Sequence, residues 1–162
     1  MTSRPELAAL DHALTACAQH SAVLSDALTD LEQTRLSAAD LDHLSKEVRR
    51  LLDQFAYRYT RLQDDMGARL FPAALRALGE DVGPMPMLDR LARLEQLGWL
   101  PSADEWLELR RIRNEFAHEY PEEAEERFLR LQMAIRSASR AMSLYEAMRT
   151  LVLGRFPDIW AD

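Results

Sequence analysis

The sequence predicts an all-α protein built as a four- to five-helix antiparallel bundle. Its apolar residues recur at spacings of three, four and seven, which places them on one side of a helix. Leu, Ala, Arg and Glu dominate and favour helices, whereas glycine occurs only five times and no alternating run rich in Val or Ile is present. With 162 residues, 48% of them hydrophobic, the chain is expected to form one domain over 1–162.

The first two predicted helices are long. The first begins after Pro5 and runs past Leu31 with a polar far face. The sequence Ser37-Ala-Ala-Asp40 has the form of a variant capping box, so it predicts the start of the second helix. The apolar positions expected to face the core from this second helix are Leu41, Leu44, Val48, Leu51, Leu52 and Phe55.

A bend is expected in the continuation of the second helix. Its apolar pattern extends towards Leu78, but Gly67 and Pro72 interrupt the helical sequence. Gly79 is a typical residue for the end of a helix. The pattern therefore predicts one kinked helix rather than a straight one.

Three helices are predicted in the rest of the chain. The connector Gly83-Pro84-Met85-Pro86 precedes a short helix that ends at Gly98, and a further helix spans Ser102 to His118. Pro121 fits the first position of the last helix, and the glutamates from Glu119 to Glu126 suit its first turn. The apolar stripe predicted for that helix is Phe128, Leu131, Met133, Ile135, Met142, Tyr145, Met148 and Leu151.

Charge and composition exclude several classes of protein. The net charge of −7 argues against a broad basic face for nucleic acid, although 19 of the 20 basic residues are arginine, which suits bidentate phosphate contacts. No apolar stretch predicts a membrane span or a signal peptide. Cys17 has no partner for a disulfide, so we expect a buried thiol and a cytoplasmic protein. Neither a metal nor a cofactor is predicted.

The chemistry of the chain is concentrated between Arg110 and Pro121. On the predicted helix, Leu109, Ile112 and Phe116 share one stripe, which is expected to face the core. His118 lies roughly 160° from Phe116 around the helix and therefore points away from the core. Arg113 leaves from the edge of the apolar stripe, so its guanidinium can reach along a groove.

The run from Arg113 to Tyr120 resembles the Arg-x4-His-x-Tyr signature of HEPN domains, in particular of HEPN toxins encoded beside a minimal nucleotidyltransferase antitoxin. Arg113, His118 and Tyr120 match the signature, and Asn114 fits the polar residue that often follows the arginine. The length, the helical pattern and the position of the motif are also similar to that family. The resemblance implies a metal-independent endoribonuclease that works as a homodimer, with Arg113 and His118 of both subunits facing one cleft.

The reaction explains why a dimer is expected. Cleavage of RNA without metal needs a base for the 2′-hydroxyl proton, an acid for the leaving 5′-oxygen and positive charge on the phosphorane. One chain supplies one motif histidine, whereas a two-fold dimer supplies two. His118 is thus the expected acid or base and Arg113 the phosphate ligand, with Asn114, Arg110 and Arg111 as supporting residues. Asn114 has two open roles: it orients the imidazole or contacts the phosphate.

Tyr120 has a second role implied by the resemblance. In related toxin and antitoxin pairs, the antitoxin transfers adenylate to the tyrosine of this motif. Added phosphates beside Arg113 and His118 are expected to repel RNA. The expected partners are therefore RNA, a second copy of the chain and a cognate nucleotidyltransferase antitoxin, without a membrane; direct binding by the antitoxin is the other route to neutralisation.

Ordinary structural interpretations compete with these roles. His118 is on its own a solvated helix-terminal residue, Arg113 an ion-pair partner of a neighbouring helix, and Tyr120 a residue packed under the last helix. His12, His20 and His43 are expected on helix surfaces. For the whole chain, two alternatives stay open: a non-catalytic HEPN module that binds nucleotides or a partner, and a helical adaptor in which the motif is a coincidence.

Overall fold

The structure is a computed structural model that describes residues 4–160, and these residues form helices without a β-strand. The all-α prediction is thus confirmed. Because α2 and α3 are joined by a π-helical turn into one kinked helix, the bundle has five helices in the described part of the chain. The helices are α1 (Arg4–Thr34), α2 (Lys46–Asp65), α3 (Phe71–Ala77), α4 (Met87–Gln96), α5 (Ala103–His118) and α6 (Ala124–Arg155).

Contacts along α5 show that this helix runs antiparallel to both α6 and α2. Glu105 at the start of α5 pairs with Arg140 in the middle of α6, whereas Glu115 at the end of α5 pairs with Arg130 near the start of α6. The same reversal relates α2 to α5. Phe116 packs against Phe55 and Tyr59 in the middle of α2, and residue 109 contacts the end of α2.

Buried polar contacts join the helices within an apolar core. The Tyr59 hydroxyl donates to Ser137 Oγ at 2.9 Å, which links α2 to α6. The Tyr145 hydroxyl donates to the Leu14 carbonyl at 3.2 Å, which links α6 to α1. Burial raises the pKa of both tyrosines to about 12, so both hydroxyls keep the proton that they donate. The two bonds satisfy groups whose burial would otherwise be unfavourable.

The predicted bend occurs where the sequence places it. The α-helical hydrogen bonding of α2 gives way to a π turn at Met66–Leu70, and α3 follows with Pro72 in its first turn. Gly79 comes directly after this helix with φ of +88°, a conformation that favours glycine. The bend after α2 therefore occurs at the residues that interrupt the helical sequence.

The start of the second helix differs from the prediction. The Asp40 carboxylate accepts both the backbone N–H and the hydroxyl of Ser37, but this motif opens only a 3₁₀ turn at Ala39–Asp42. The long helix begins at Lys46, where Ser45 Oγ accepts a backbone N–H. As a result, five of the six residues expected in the core are only half-buried, and Phe55 alone is fully buried among Leu41, Leu44, Val48, Leu51, Leu52 and Phe55.

The prediction was also wrong about the residue at which the last helix begins. Pro121 lies in the connection, and α6 begins at Ala124 with Glu123 at the capping position. Glu125 and Glu126 do occupy the first turn, as expected for negative charges near a helix N-terminus. Much of the buried stripe consists of small residues that the apolar pattern did not include, so the helix packs closely through Ala134, Ser137, Ala138 and Ala141.

Two predictions about single residues have opposite outcomes. Cys17 is fully buried, and burial raises the pKa of its thiol to about 12, as expected for an unreactive apolar side chain. His12 and His43 are exposed, but His20 is buried, so the expectation of a surface histidine was wrong there. His20 sits on the face of α1 that packs against α2, where Arg58 provides a polar partner.

Across residues 4–160, every helix is too short or too polar to cross a lipid bilayer.

Candidate functional site

Helix α5 carries the motif and is fixed to the core near both ends. At its start, Ser102 Oγ accepts a backbone N–H of the first turn, and Trp106 packs edge-on against Phe71 with ring centroids 4.6 Å apart. Near its end, Phe116 packs against α2 as described above. Gln63 Nε2 donates to the Leu109 carbonyl at 3.0 Å between these two anchors. The side chains on the free face of α5 are therefore held on a rigid element.

A groove of about 620 Å³ runs along that free face, between α5, the bend after α2 and the start of α4. It brings together four of the six predicted site residues, which are Arg110, Arg113, Asn114 and His118. Its apolar wall is formed by Gly67, Ala68, Phe71, Met87, Leu91 and Trp106. The groove thus has one apolar side and one side rich in groups that bind anions.

Asp64 of α2 holds the two arginines of the groove. Arg113 Nη2 donates to Asp64 Oδ2 at 2.7 Å, and Arg110 Nη1 lies 3.7 Å from Asp64 Oδ1. The Arg113 side chain is only 14% exposed. With Arg90 on the opposite wall, three arginines face one aspartate, so the groove keeps a positive charge on a chain whose net charge is −7.

His118 and Asn114 are exposed at the mouth of the groove. His118 points away from the core, as predicted, and no other described side chain is hydrogen-bonded to its ring. Asn114 Oδ1 accepts from Arg113 Nη1 at 3.3 Å, so in this structure the amide contacts the arginine and not the imidazole. Both ring nitrogens of His118 are available to a ligand.

Arg111 lies outside the groove and is occupied by two carboxylates of its own helix. It donates to Glu108 and to Glu115, one turn before and one turn after it. These hydrogen bonds raise the pKa of Arg111 above its usual value, and the bond to Glu108 has the largest effect. Its charge is therefore balanced locally, unlike that of the groove arginines.

Tyr120 faces a different groove. Its side chain is 83% exposed and lies over the guanidinium of Arg127, 5.2 Å from the ring centroid. The groove beside it has a volume of about 360 Å³ and is lined mainly by apolar residues of α2, α5 and α6, including Phe116. Tyr120 is thus accessible to a modifying enzyme, but it does not line the groove of Arg113 and His118.

The sequence did not reveal two further members of the main groove, Asp64 and Arg90. Arg90 donates to the backbone carbonyls of Met85 at 3.0 Å and of Val82 at 3.3 Å, so it also fixes the connector before α4. One signal for Asp64 was present, because it lies three residues before Gly67, where the sequence predicts a bend, and π-helical bends are frequent at functional sites. Its pairing with α5 depends on tertiary packing.

The neighbouring carboxylates of Asp64 and Asp65 serve different partners. Asp64 contacts α5, whereas Asp65 is buried and its Oδ2 lies 3.1 Å from Nε2 of His20 in α1. This separation follows from their adjacent positions on a helix, which point about 100° apart. The two residues therefore do not form a shared ligand set.

The main groove places guanidiniums that can bind an anion beside an imidazole that can transfer a proton. Compared with known proteins, the chain matches no family model, no curated protein and no solved structure.

Proposed function

We propose that this protein is a metal-independent RNA endonuclease and the toxin of a toxin and antitoxin pair. His118 acts as acid or base, and Arg113 binds the phosphate with help from Arg110 and Asn114. The observation that carries the proposal is the position of an unpartnered, exposed His118 at the mouth of a positively charged groove that contains Arg113. The Arg-x4-His-x-Tyr signature supports the same assignment.

The reaction would proceed by attack of the RNA 2′-oxygen on phosphorus. A base removes the 2′-proton, the bond from phosphorus to the 5′-oxygen breaks, and an acid protonates that leaving oxygen. The products are a 2′,3′-cyclic phosphate and a free 5′-hydroxyl. Because each chain has one motif histidine, we propose a homodimer in which the two His118 rings take the roles of base and acid.

Neutralisation by a cognate nucleotidyltransferase antitoxin is the second part of the proposal. The high exposure of Tyr120 supports adenylylation at its hydroxyl. Tyr120 lines a separate groove, so a single adenylate has two ways to inhibit the nuclease. It can reach around the end of α5 into the main groove, or it can block the approach of a long RNA. In both cases its bulk and negative charge oppose RNA binding. Direct binding of the antitoxin to the same surface is the competing route.

A nuclease assay with purified protein tests the catalytic assignment. His118→Ala and Arg113→Ala should each lower the cleavage rate by about 10²- to 10⁴-fold, because acid–base and phosphate-binding groups contribute on that order. EDTA should leave cleavage unchanged. His12→Ala is the matched control, since His12 is an exposed histidine of α1 outside the groove. Equal rates for folded His118→Ala and the parent protein would refute the assignment.

A binding-only module is the second candidate function. It is favoured by the ion pair between Arg113 and Asp64, because an arginine already paired with a carboxylate binds phosphate less readily than a free one. In that case the parent protein would bind RNA or nucleotide without cleaving it. His118→Ala would then change neither the binding nor the absence of cleavage. The same assay, run with a binding measurement, separates the two candidates.

A further inference from the structure

We propose that Asp64 is a positioning residue of the main groove: it holds Arg113 and Arg110 so that both guanidiniums converge on one phosphate. This inference rests on the proposed nuclease function. It concerns a residue of α2, far from the motif in sequence, that the Arg-x4-His-x-Tyr pattern does not contain.

The geometry of the arginines carries the first step. Arg110 and Arg113 are three residues apart on α5, so they share a face and repel each other. Asp64 lies between them, with Oδ2 at 2.7 Å from Arg113 and Oδ1 at 3.7 Å from Arg110. One carboxylate thus neutralises the repulsion and orients two cations that would otherwise diverge into solvent.

The support behind Asp64 carries the second step. Its carboxylate is part-buried near the end of α2, two residues before the π turn begins at Met66. The preceding residue, Gln63, is fully buried and donates a hydrogen bond to the backbone of α5. Because α2 is fixed to α5 at this level, the backbone of Asp64 is held beside Arg113 and Arg110, and the ion pairs with these arginines orient its carboxylate.

The charge of the groove gives the third step. Among the described side chains that line the groove, Asp64 is the one that carries a negative charge. Its removal raises the positive charge of the groove by one, so RNA should bind more tightly while the arginines lose their orientation. A positioning role therefore predicts that kcat and KM both fall, because RNA binds more tightly but reacts more slowly, which a loss of folding would not produce.

The test compares Asp64→Ala and Asp64→Asn with the parent protein in steady-state RNA cleavage. Asp64→Ala should lower kcat by about 10- to 100-fold, as expected from misplaced catalytic groups, and should lower KM. Asp64→Asn keeps an oxygen that accepts from Arg113, so it should recover part of kcat but show the same lower KM. The pH profile of kcat should keep its shape in both variants.

Glu105→Gln is the matched control, because Glu105 pairs α5 with Arg140 of α6 outside the groove. It should leave kcat and KM unchanged, and thermal unfolding followed by circular dichroism should confirm that all variants are folded. If the parent cleaves RNA and Asp64→Ala has the same kcat, the positioning role of Asp64 is refuted, but the proposed nuclease function is not. Loss of the acidic limb of the pH profile in Asp64→Asn would overturn it in favour of a general base, and a parent without RNA cleavage would overturn the nuclease proposal itself.

Discussion

At the scale of single residues, His20 shows how packing determines the state of a titratable group. Arg58 Nη1 lies 3.0 Å from His20 Nδ1, and because arginine can only donate, Nδ1 must accept. The ring proton is then on Nε2, which faces Asp65 at 3.1 Å. A neutral imidazole in this tautomer accepts from Arg58 and points its N–H towards Asp65, whereas a protonated ring would place a second N–H donor against the guanidinium.

This environment predicts a pH-dependent contribution to stability. Burial is the main reason that the pKa of His20 lies below 6.5; Arg58 and Arg61 lower it further, while Asp65 opposes the shift. As the pH falls through about 6.5, the unfolded chain binds a proton at this position and the folded chain does not, so the folded state loses stability. His20→Gln, which keeps a donor for Asp65, should reduce this loss between about pH 7 and pH 5.

Urea unfolding at the two pH values measures the effect as a difference in free energy of unfolding. His12→Gln is the control, because His12 is exposed on the same helix and should leave the pH dependence unchanged. The interpretation fails if His20→Gln and the parent lose the same free energy of unfolding between the two pH values.

At the scale of helices, the sequence predicted which helices are present and their order along the chain better than the residues at which they begin and end. The bend at Gly67 and Pro72 and the ends at Gly79 and Gly98 were found because they depend on local backbone preferences. The capping motif at Ser37 forms as predicted, yet no long helix follows it directly. A local motif can specify a turn, but the length of the helix that follows depends on what the segment packs against.

Two glycines provide a prediction at this scale. Gly79 has φ of +88°, so Gly79→Ala should lower the free energy of unfolding by about 1 kcal/mol, because a side chain disfavours that conformation. Gly154 lies near the end of α6, and a Cβ there meets no atom within 4 Å. Gly154→Ala should therefore raise stability by about 0.5 kcal/mol, since alanine favours a helix.

Thermal or urea unfolding of the two variants checks the prediction by its opposite signs. Neither residue lines the main groove, so RNA cleavage below the melting temperature should be the same in both variants. If Gly154→Ala lowers the stability instead, the added methyl group must collide with neighbouring atoms, and the space around Gly154 is smaller than the structure shows.

At the scale of the whole molecule, the candidate site was only partly predictable. Arg110, Arg113, Asn114 and His118 share one helix face, so their convergence followed from helical periodicity. Asp64 and Arg90 come from other elements, and the separate groove of Tyr120 depends on how the chain leaves α5. Those features arise from tertiary packing, which spacing along the sequence does not determine.

The proposed homodimer leads to the last prediction. His118 is exposed at an open groove, and Met87 and Leu88 are exposed at the start of α4, with Met87 on the wall of that groove. A second copy that covers this side would bury these apolar side chains and bring two histidines together. Light scattering should give the mass of a dimer, and Met87→Arg should shift it towards the monomer and lower RNA cleavage.

Mixed dimers test whether both histidines are needed for one site. When parent and His118→Ala chains are unfolded, mixed in equal amounts and refolded together, about a quarter of the dimers carry two intact histidines and about half carry one. If base and acid come from different subunits, the mixture should retain about a quarter of the parent activity, because only fully intact dimers cleave. Independent sites would instead retain about half, since each intact chain would work regardless of its partner. Retention of half the activity, or an active monomer, would mean that one chain supplies both proton-transfer groups and that the apposition of two motifs is not required.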